Sequence, residues 1–417
     1  MVIGAIIMHG FSDQTMLESL VNEAKEALVF DLVDRLLPLK LDVIIVVTDS
    51  PALLERSWGV KVEVERSAKG FHFGRTLHRI TKKYDLDGFV YFGSGSGALL
   101  DQQQLQDLIT FCRRNENAAL FNNFFSVDFA AVANCKSLLN RLDCIAREER
   151  EERVELSCTT DSFTTIRQNS SLTNLSDACA QMLTTDNLLG FFLAKHLDWQ
   201  SFSLPRNSGT QFDLDTPTDI VLLKKFGMSN VHIAKFLAST WINHPRLPHI
   251  IDLLSQRKTR LYVIGRVNPH AWSFLERSVA CNTNILSEGR GMFSYQREQA
   301  DGIRSIIGSY IASQENNFQN RFFTELEKVA DGVLIDTRPI FTYQRALPRR
   351  ADRFYSDLFM SDKIIDPLVR DFTIQAAEAA IPIILGGHSL VSGGLYLLAE
   401  MAWKDKVIPR RLHFETE

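Results

Sequence analysis

The chain has 417 residues, more than one ordinary hydrophobic core accommodates, which predicts two or three domains. Hydrophobic residues make up 45% and charged residues 23%, a balance that excludes a disordered or fibrous chain. The net charge of −4 supplies no broad positive field, so nucleic acid and acidic membrane surfaces are not expected partners.

Six cysteines, at 112, 135, 144, 158, 179 and 281, form no C-x-x-C pair. That argues against a zinc ribbon or a disulfide-stapled fold, and for reduced thiols in a cytoplasmic protein. No apolar run reaches the roughly 18 residues of a membrane span. The start, residues 1–7, lacks a basic leader and reads as a strand rather than a signal peptide.

Hydrophobic periodicity predicts alternating strands and helices through the first half. Val2–Met8 is a strand, Leu17–Leu37 a helix, and Leu41–Val47 a β-branched buried strand. Val60–Glu65 is a third strand, Gly74–Lys83 a helix, Gly88–Phe92 a strand and Leu99–Arg113 a helix. Ala118–Phe125 is a strand and Asp128–Leu142 a helix. The charge run Arg147–Glu155 suits a solvated helix, and Cys158–Ser176 a polar loop, before a helix over Ser176–Leu197. Such alternation predicts an α/β layer with a mixed or mainly parallel sheet.

Phe212–Ile220 (FDLDTPTDI) reads as a strand ending on Asp215, then a capped helix start. Thr216 suits the cap, Pro217 the first helical position, and Asp219 the positive end of the helix dipole. Helical stretches follow at Asp219–Phe226, Asn230–Ile242 and Leu247–Arg257. A second α/β pattern begins at Arg260. Its strands are Leu261–Val267, Asn282–Leu286, Gly332–Thr337 and Pro382–Leu385. Its helices are His270–Val279, Gly302–Ala312, Phe318–Val329, Asp366–Ala380 and Leu395–Trp403. The expected organisation is an α/β domain over 1–225, a helical connector over 226–258, and a Rossmann-like α/β domain over 259–417.

Several first-half motifs, taken in order, carry a resemblance. They are His9–Gln14 after the first strand, the K-x-L-like element at Lys25, Gly70–Leu77, Tyr91–Leu100 with glycines at 93, 95 and 97, and D-x-D-T-P-x-D at 213–219. Together they resemble nucleotidyltransferases related to the molybdenum-cofactor guanylyltransferases, over roughly residues 1–225. The resemblance implies transfer of a nucleotidyl group from an NTP to a phosphorylated or carboxylated acceptor. It implies that Asp215 holds Mg2+, that Lys25 faces phosphate, and that Gly10, Ser12, Gly74, Gly93, Gly95, Ser96 and Gly97 line the nucleotide.

The chain departs from that pattern. One glycine, Gly10, stands where a phosphate loop needs several exposed N–H groups. Ser96 or a glycine occupies the place of the second metal carboxylate, and a hydroxyl is a weak ligand for magnesium. Asp128 is a replacement carboxylate or the cap of the next helix. An eroded active site follows, with nucleotide sensing or assembly as the non-catalytic alternative.

In the second half, four strands end in polar, glycine-containing turns, and ligands of open parallel sheets bind at such ends. Arg266, Glu288, Arg290, Asp336, Arg338, Gly386, Gly387, His388 and Ser389 are therefore expected around an anionic small molecule, with Asp336 or His388 as a proton-transfer group. Arg338, Arg345, Arg349, Arg350 and Arg353 form either an anion clamp or a solvated loop paired with Asp352, Asp357 or a second copy of the chain.

Overall fold

The computed structural model describes residues 1–11, 15–55, 59–64, 71–136, 138, 140, 183–292, 303–313, 321–404 and 406. The chain divides into two compact units. One comprises residues 1–11, 32–96 and 100–205, the other residues 12–31, 97–99 and 206–417. The expected edge at 225 and the expected connector 226–258 both fall inside the second unit. Ser12, the charge run 147–155 and the polar stretch 158–176 lie outside the described residues.

The first unit holds a seven-stranded sheet of β1 (Ile3–His9), β2 (Val43–Thr48), β3 (Lys61–Val64), β4 (Gly88–Gly93), β5 (Ala118–Phe121), β6 (Phe129–Ala133) and β7 (Gln200–Ser203). The strand order is β3-β2-β1-β4-β6-β5-β7. β1 is buried throughout, and apolar up to His9, because it lies between β2 and β4, both parallel to it. β6 runs antiparallel to β4 and β5. The expected helix over 128–142 gives way there to a strand. Alanines favour helix in isolation, but all five residues of β6 are buried between two partner strands, and tertiary pairing decides.

α1 (Met16–Leu36) has its first turns in the second unit and its end in the first. α2 (Phe73–Lys83), α3 (Gln102–Arg114) and α4 (Leu189–Leu197) complete the first unit's longer helices. Its core gathers Ile6, Phe73, Leu77, Phe89, Phe121, Val132 and Phe192.

The second unit contains α5 (Pro217–Phe226), α6 (Val231–Ser239), α7 (Leu247–Leu254), β8 (Arg260–Gly265), α8 (Pro269–Ser278), β9 (Asn282–Ser287), α9 (Ile306–Ala312), α10 (Arg321–Val329) and β10 (Gly332–Asp336). α11 (Arg350–Asp357), α12 (Pro367–Glu378), β11 (Ile383–Gly386) and α13 (Gly393–Trp403) follow. Its four strands are all parallel, in the order β11-β10-β8-β9. Alternate residues point to opposite faces. Leu261, Val263, Leu334 and Ile384 join one core with residues of α1, α5, α7 and α13. Ile264, Val333, Ile335, Ile383 and Leu385 join another with α10 and α12. From β8 the chain proceeds to β9 on one side, whereas β10 and β11 lie on the other. The order therefore reverses between β8 and β10, so their carboxyl ends mark the topological switch point, the place where such sheets bind ligands.

Candidate anion-binding site

β8 ends on Gly265 at φ +116°, where an added Cβ would lie 2.6 Å from the Cβ of Asp336. A side chain has no room there, and glycine alone takes that backbone comfortably. Arg266 follows and closes on Asp336 at the end of β10. Its Nε and Nη2 donate to Oδ2 and Oδ1 at 2.6 and 3.1 Å, and its backbone N–H donates to Oδ2 at 3.2 Å. The Arg338 N–H donates to Oδ1 at 3.3 Å. Burial favours the neutral acid, but Arg266 and then Arg338 outweigh it and hold the Asp336 carboxyl below its ordinary range. Asp336 is thus a brace that fixes Arg266 and the start of the Arg338 turn. With both oxygens engaged in a 0% exposed side chain, it is not the accessible proton-transfer group considered from sequence.

The segment 212–215 forms no strand, contrary to expectation. It is laid instead along the end of β11. The Ser389 hydroxyl donates to the Asp213 carbonyl at 2.5 Å, and the Thr218 hydroxyl to the Leu385 carbonyl at 2.7 Å. Asp219 reaches back from α5, its Oδ2 accepting from the N–H groups of Asp215 and Thr216 at 2.9 and 2.8 Å. This capping box goes beyond the dipole role expected of Asp219, and it leaves 47% of the Asp215 side chain exposed. Lys25 of α1 donates to Asp215 Oδ1 at 3.0 Å. Burial opposes ionisation of Asp215, yet Lys25 and Arg338 hold its carboxyl well below the usual range. Burial likewise opposes the Lys25 charge, and Asp215 and Asp213 overcome it to raise the ammonium.

The turn after β11 closes the site. A Cβ at Gly387 would meet Thr216 Cγ2 at 2.8 Å and lie 3.7 Å from Arg338 Nη2, so glycine lets the backbone approach that guanidinium. The N–H groups of Gly387 and His388 find no acceptor among the described residues. Adjacent unpaired N–H groups beside a guanidinium are the ingredients of an anion cradle. Burial and then Arg266 push the His388 imidazole down to about 4, against the pull of Asp336, so His388 is neutral at pH 7.

α11 supplies Arg350 and Arg353. Burial, then Arg338, with Arg350 and Arg266 adding, pushes the Arg353 guanidinium down to about 10, against Asp357. Lys25, Arg266, Arg338, Arg350 and Arg353 thus gather against Asp213, Asp215 and Asp336. Burial pushes Asp219 up to about 7 and Asp357 well above its ordinary range. Counting Asp219 and Asp357, five basic and five acidic side chains meet here, and burial opposes the ionisation of those two acids.

Other expected residues are placed differently. Glu288 accepts from the Ser305 hydroxyl at 2.5 Å and the Ile306 N–H at 2.8 Å, so its carboxylate caps α9 rather than facing a ligand. Arg290 is exposed and acts on His388 through its charge. Arg345 pairs with Asp366 at 2.5 Å, and Arg349 with Asp352 at 3.2 Å, which resolves those two arginines in favour of structural pairing. Gly386 sits in β11, where a Cβ would meet Leu390 at 3.0 Å.

In the first unit, a Cβ at Gly10 would meet nothing within 4 Å among the described residues. Gly74 is buried in the first turn of α2, and its N–H donates to the Leu183 carbonyl at 2.9 Å. Its role there is close packing rather than contact with a nucleotide. Gly93 donates through its N–H to the Asp128 carbonyl at 2.8 Å, and the Ser96 hydroxyl donates to the Gly93 and Asp128 carbonyls at 2.8 and 3.0 Å. Ser96 therefore staples the turn, which also buries Gly95. Gly97 is assigned to the second unit. Asp128 caps no helix, because β6 follows it, and its carboxylate accepts from Asn122 Nδ2 at 2.8 Å.

Magnesium requires several hard oxygens with open lone pairs. Asp215 instead carries an ammonium at 3.0 Å and lies in the field of Arg338. Among the described residues no group of three or more His, Cys, Asp or Glu could hold a metal. As placed, Asp215 Oδ1 is taken by the Lys25 ammonium, and a magnesium ion there would have to draw further oxygens from a bound phosphate.

No helix of the described residues is long and apolar enough to cross a membrane. No family model matches the chain, and no curated protein matches it. Solved structures with similarity include a protein assigned as a nucleotide-diphospho-sugar transferase from Desulfovibrio desulfuricans, at 13% identity and TM-score 0.36, over 57% of this chain and 95% of that one. A cytidylyltransferase from Leptospira borgpetersenii is similar at 15% identity and TM-score 0.33, over 57% of this chain and 93% of that one. The 4-diphosphocytidyl-2C-methyl-D-erythritol synthase of Anaerococcus prevotii is similar at 11% identity and TM-score 0.30, over 52% and 94%. These values assign neither family nor activity to the chain.

Proposed function

We propose that this chain binds a nucleotide or another phosphorylated small molecule at the switch point of its second unit. The observation that carries this reading is the convergence of Lys25, Arg338 and the N–H groups of Gly387 and His388, unpaired among the described residues, beside a braced Arg266. Lys25 and the arginines neutralise phosphate charge, the glycine turn supplies N–H donors, and Asp336 fixes the geometry. Asp215 tethers Lys25 in place of a metal ion. Neutral His388 is available as a hydrogen-bond partner or weak base.

Nucleotidyl transfer is a second reading, favoured by one contact. Lys25 and Asp215, 190 residues apart, meet at 3.0 Å, and they belong to the two motifs that the guanylyltransferase-like resemblance assigns to phosphate and metal. In that reaction an acceptor phosphate or carboxylate oxygen attacks the α-phosphorus of an NTP, and the bond to the departing pyrophosphate breaks. Lys25 and Arg338 would offset the charge on the leaving group.

A thermal-shift panel of nucleotides and sugar phosphates tests the binding reading. Phosphorylated ligands are expected to raise the melting temperature of the wild type, with EDTA present, and not that of Arg338→Gln. No shift from any phosphorylated ligand, or equal shifts in the variant, would overturn it. Pyrophosphate release from an NTP would establish transfer, whereas saturable binding without release would leave a non-catalytic binding protein.

A further inference from the structure

α11 opens with two arginines whose role the site described above leaves unassigned, Arg350, exposed, and Arg353, half-buried. They stand three residues apart and share one face of the helix. The nearby acids are committed elsewhere: Asp215 to Lys25, Asp336 to Arg266, Asp352 to Arg349 and Asp366 to Arg345. No ion pair joins Arg350 or Arg353 to an acid among the described residues. Arg353 is held through its Nε, which donates to the Pro348 carbonyl at 3.2 Å. Its two Nη groups, the fork that grips a phosphate bidentately, make no hydrogen bond among the described residues.

Both arginines sit where cations are costly. The start of a helix is the positive end of its dipole, and like charges three residues apart repel. The strongest charged neighbours of Arg353 are Arg338, Asp357, Arg350 and Arg266, and Arg350 also acts on Lys25. The helix is pinned in this position. Asp352 accepts from the Ile365 N–H at 2.9 Å, and the Thr373 hydroxyl of α12 donates to Ser356 Oγ at 2.7 Å. α11 packs on β11 and α5, and the ends of those two elements carry Gly387 and Thr216, which border the Arg338 guanidinium. An electrostatic conflict kept in a fixed element is expected where a ligand relieves it.

Resting on the anion-binding reading above, we propose that Arg353, with Arg350 beside it, grips a second phosphoryl group, so that the ligand of this site is a diphosphate, either pyrophosphate itself or a nucleoside or sugar diphosphate. Arg338 and the N–H groups of Gly387 and His388 approach the ligand from the strand ends, whereas Arg350 and Arg353 approach it from α11. A single phosphoryl group would have to draw three guanidiniums together against their mutual repulsion. Two phosphoryl groups in series spread those cations and supply the further negative charge that offsets them. Arg266 spends its Nε and Nη2 on Asp336 and does not provide the second grip. Arg353 is on this account the residue that selects a diphosphate over a monophosphate.

The test compares inorganic phosphate with methylenediphosphonate, whose P–C–P link resists hydrolysis, by titration calorimetry of the full chain at neutral pH with EDTA present. The wild type is expected to bind the diphosphonate at least about tenfold more tightly than phosphate. Arg353→Gln is expected to weaken the diphosphonate about tenfold and phosphate only about twofold. Arg353→Lys keeps the charge and loses the fork, and is expected to restore only a small part of that affinity. Equal affinity for the two anions in the wild type would overturn the proposal. So would an equal loss of both in Arg353→Gln, or an Arg353→Lys that binds the diphosphonate like the wild type, since charge alone would then account for the preference. If circular dichroism shows that the Arg353 variants do not fold, the exposed Arg350→Gln decides: a diphosphonate affinity lowered about threefold supports the second grip, and an unchanged one overturns it. All of these contrary results leave the anion-binding reading standing. Binding of both anions that ignores Arg338→Gln, or no binding of either, would instead remove the site itself. Competition of ADP, UDP-glucose and pyrophosphate against the diphosphonate then separates an ester from the free anion.

Discussion

Replacing Asp336 with asparagine tests how the site is held together. The change keeps the shape and removes the charge under Arg266. The lost interactions are two side-chain contacts at 2.6 and 3.1 Å, in a pair where Arg266 keeps only 8% of its exposure. Stranding such a guanidinium costs about 3–5 kcal/mol, because its charge has left water and has no counter-charge. Urea-induced unfolding followed by tryptophan fluorescence would show this as a lower midpoint. The paired replacement Arg266→Met with Asp336→Leu fills the space without stranding a charge, and is expected to recover most of the loss. Neither variant should bind phosphate well, since the Arg338 N–H is anchored on Asp336 at 3.3 Å. Stability and binding thus separate in the double variant. A cost below about 1 kcal/mol for Asp336→Asn would refute the claim that the pair is a buried brace.

Three other outcomes follow from the same geometry. Lys25→Met is expected to weaken phosphate binding about tenfold by removing a cation from the site, as read by calorimetry. Asp215→Asn is expected to strengthen binding and leave it insensitive to EDTA, because an anion is removed and the Lys25 charge released; weaker, metal-sensitive binding would restore the magnesium role. Gly265→Ala is expected to cost about 1–3 kcal/mol in unfolding free energy, since φ is +116° and a Cβ would lie 2.6 Å from Asp336 Cβ.

Much of the fold is written in the periodicity of the chain. Continuous apolar runs such as residues 3–8 and 43–47 became central parallel strands because burial on both faces needs no alternation. The polar strand ends at Gly265, Asp336 and Gly386 likewise marked the rim of the second sheet. The failures have physical causes. β6 (FAAVA) is rich in a helix-favouring residue, and only its position between β4 and β5 makes it a strand. β7 is a four-residue, fully exposed strand held by pairing with β5, and leaves no hydrophobic trace in the sequence. α11 was legible in part, as Ala351, Phe354, Tyr355 and Leu358 recur at helical spacing, but its arginines drew attention to a loop. The resemblance puts Lys25 and Asp215 in one site, but nothing in the sequence pairs them directly. Lys25 and Asp215 were read as separate motif members, whereas burial and opposite charge bring them together in the unit that also holds Arg338.

The burial of Asp219 and Asp357 is not legible in the sequence either. An acid near a helix start reads as a dipole partner, and Asp357 reads as a surface partner for arginine. Each is buried instead, Asp219 by its reach back to Thr216 and Asp357 by the packing of α11.

A selenate soak read by anomalous diffraction is the most direct measurement. The account predicts a peak within hydrogen-bonding distance of the Arg338 guanidinium and the N–H groups of Gly387 and His388, on the side facing Lys25. Selenate found only elsewhere, in crystals where those groups are open to solvent, would contradict it.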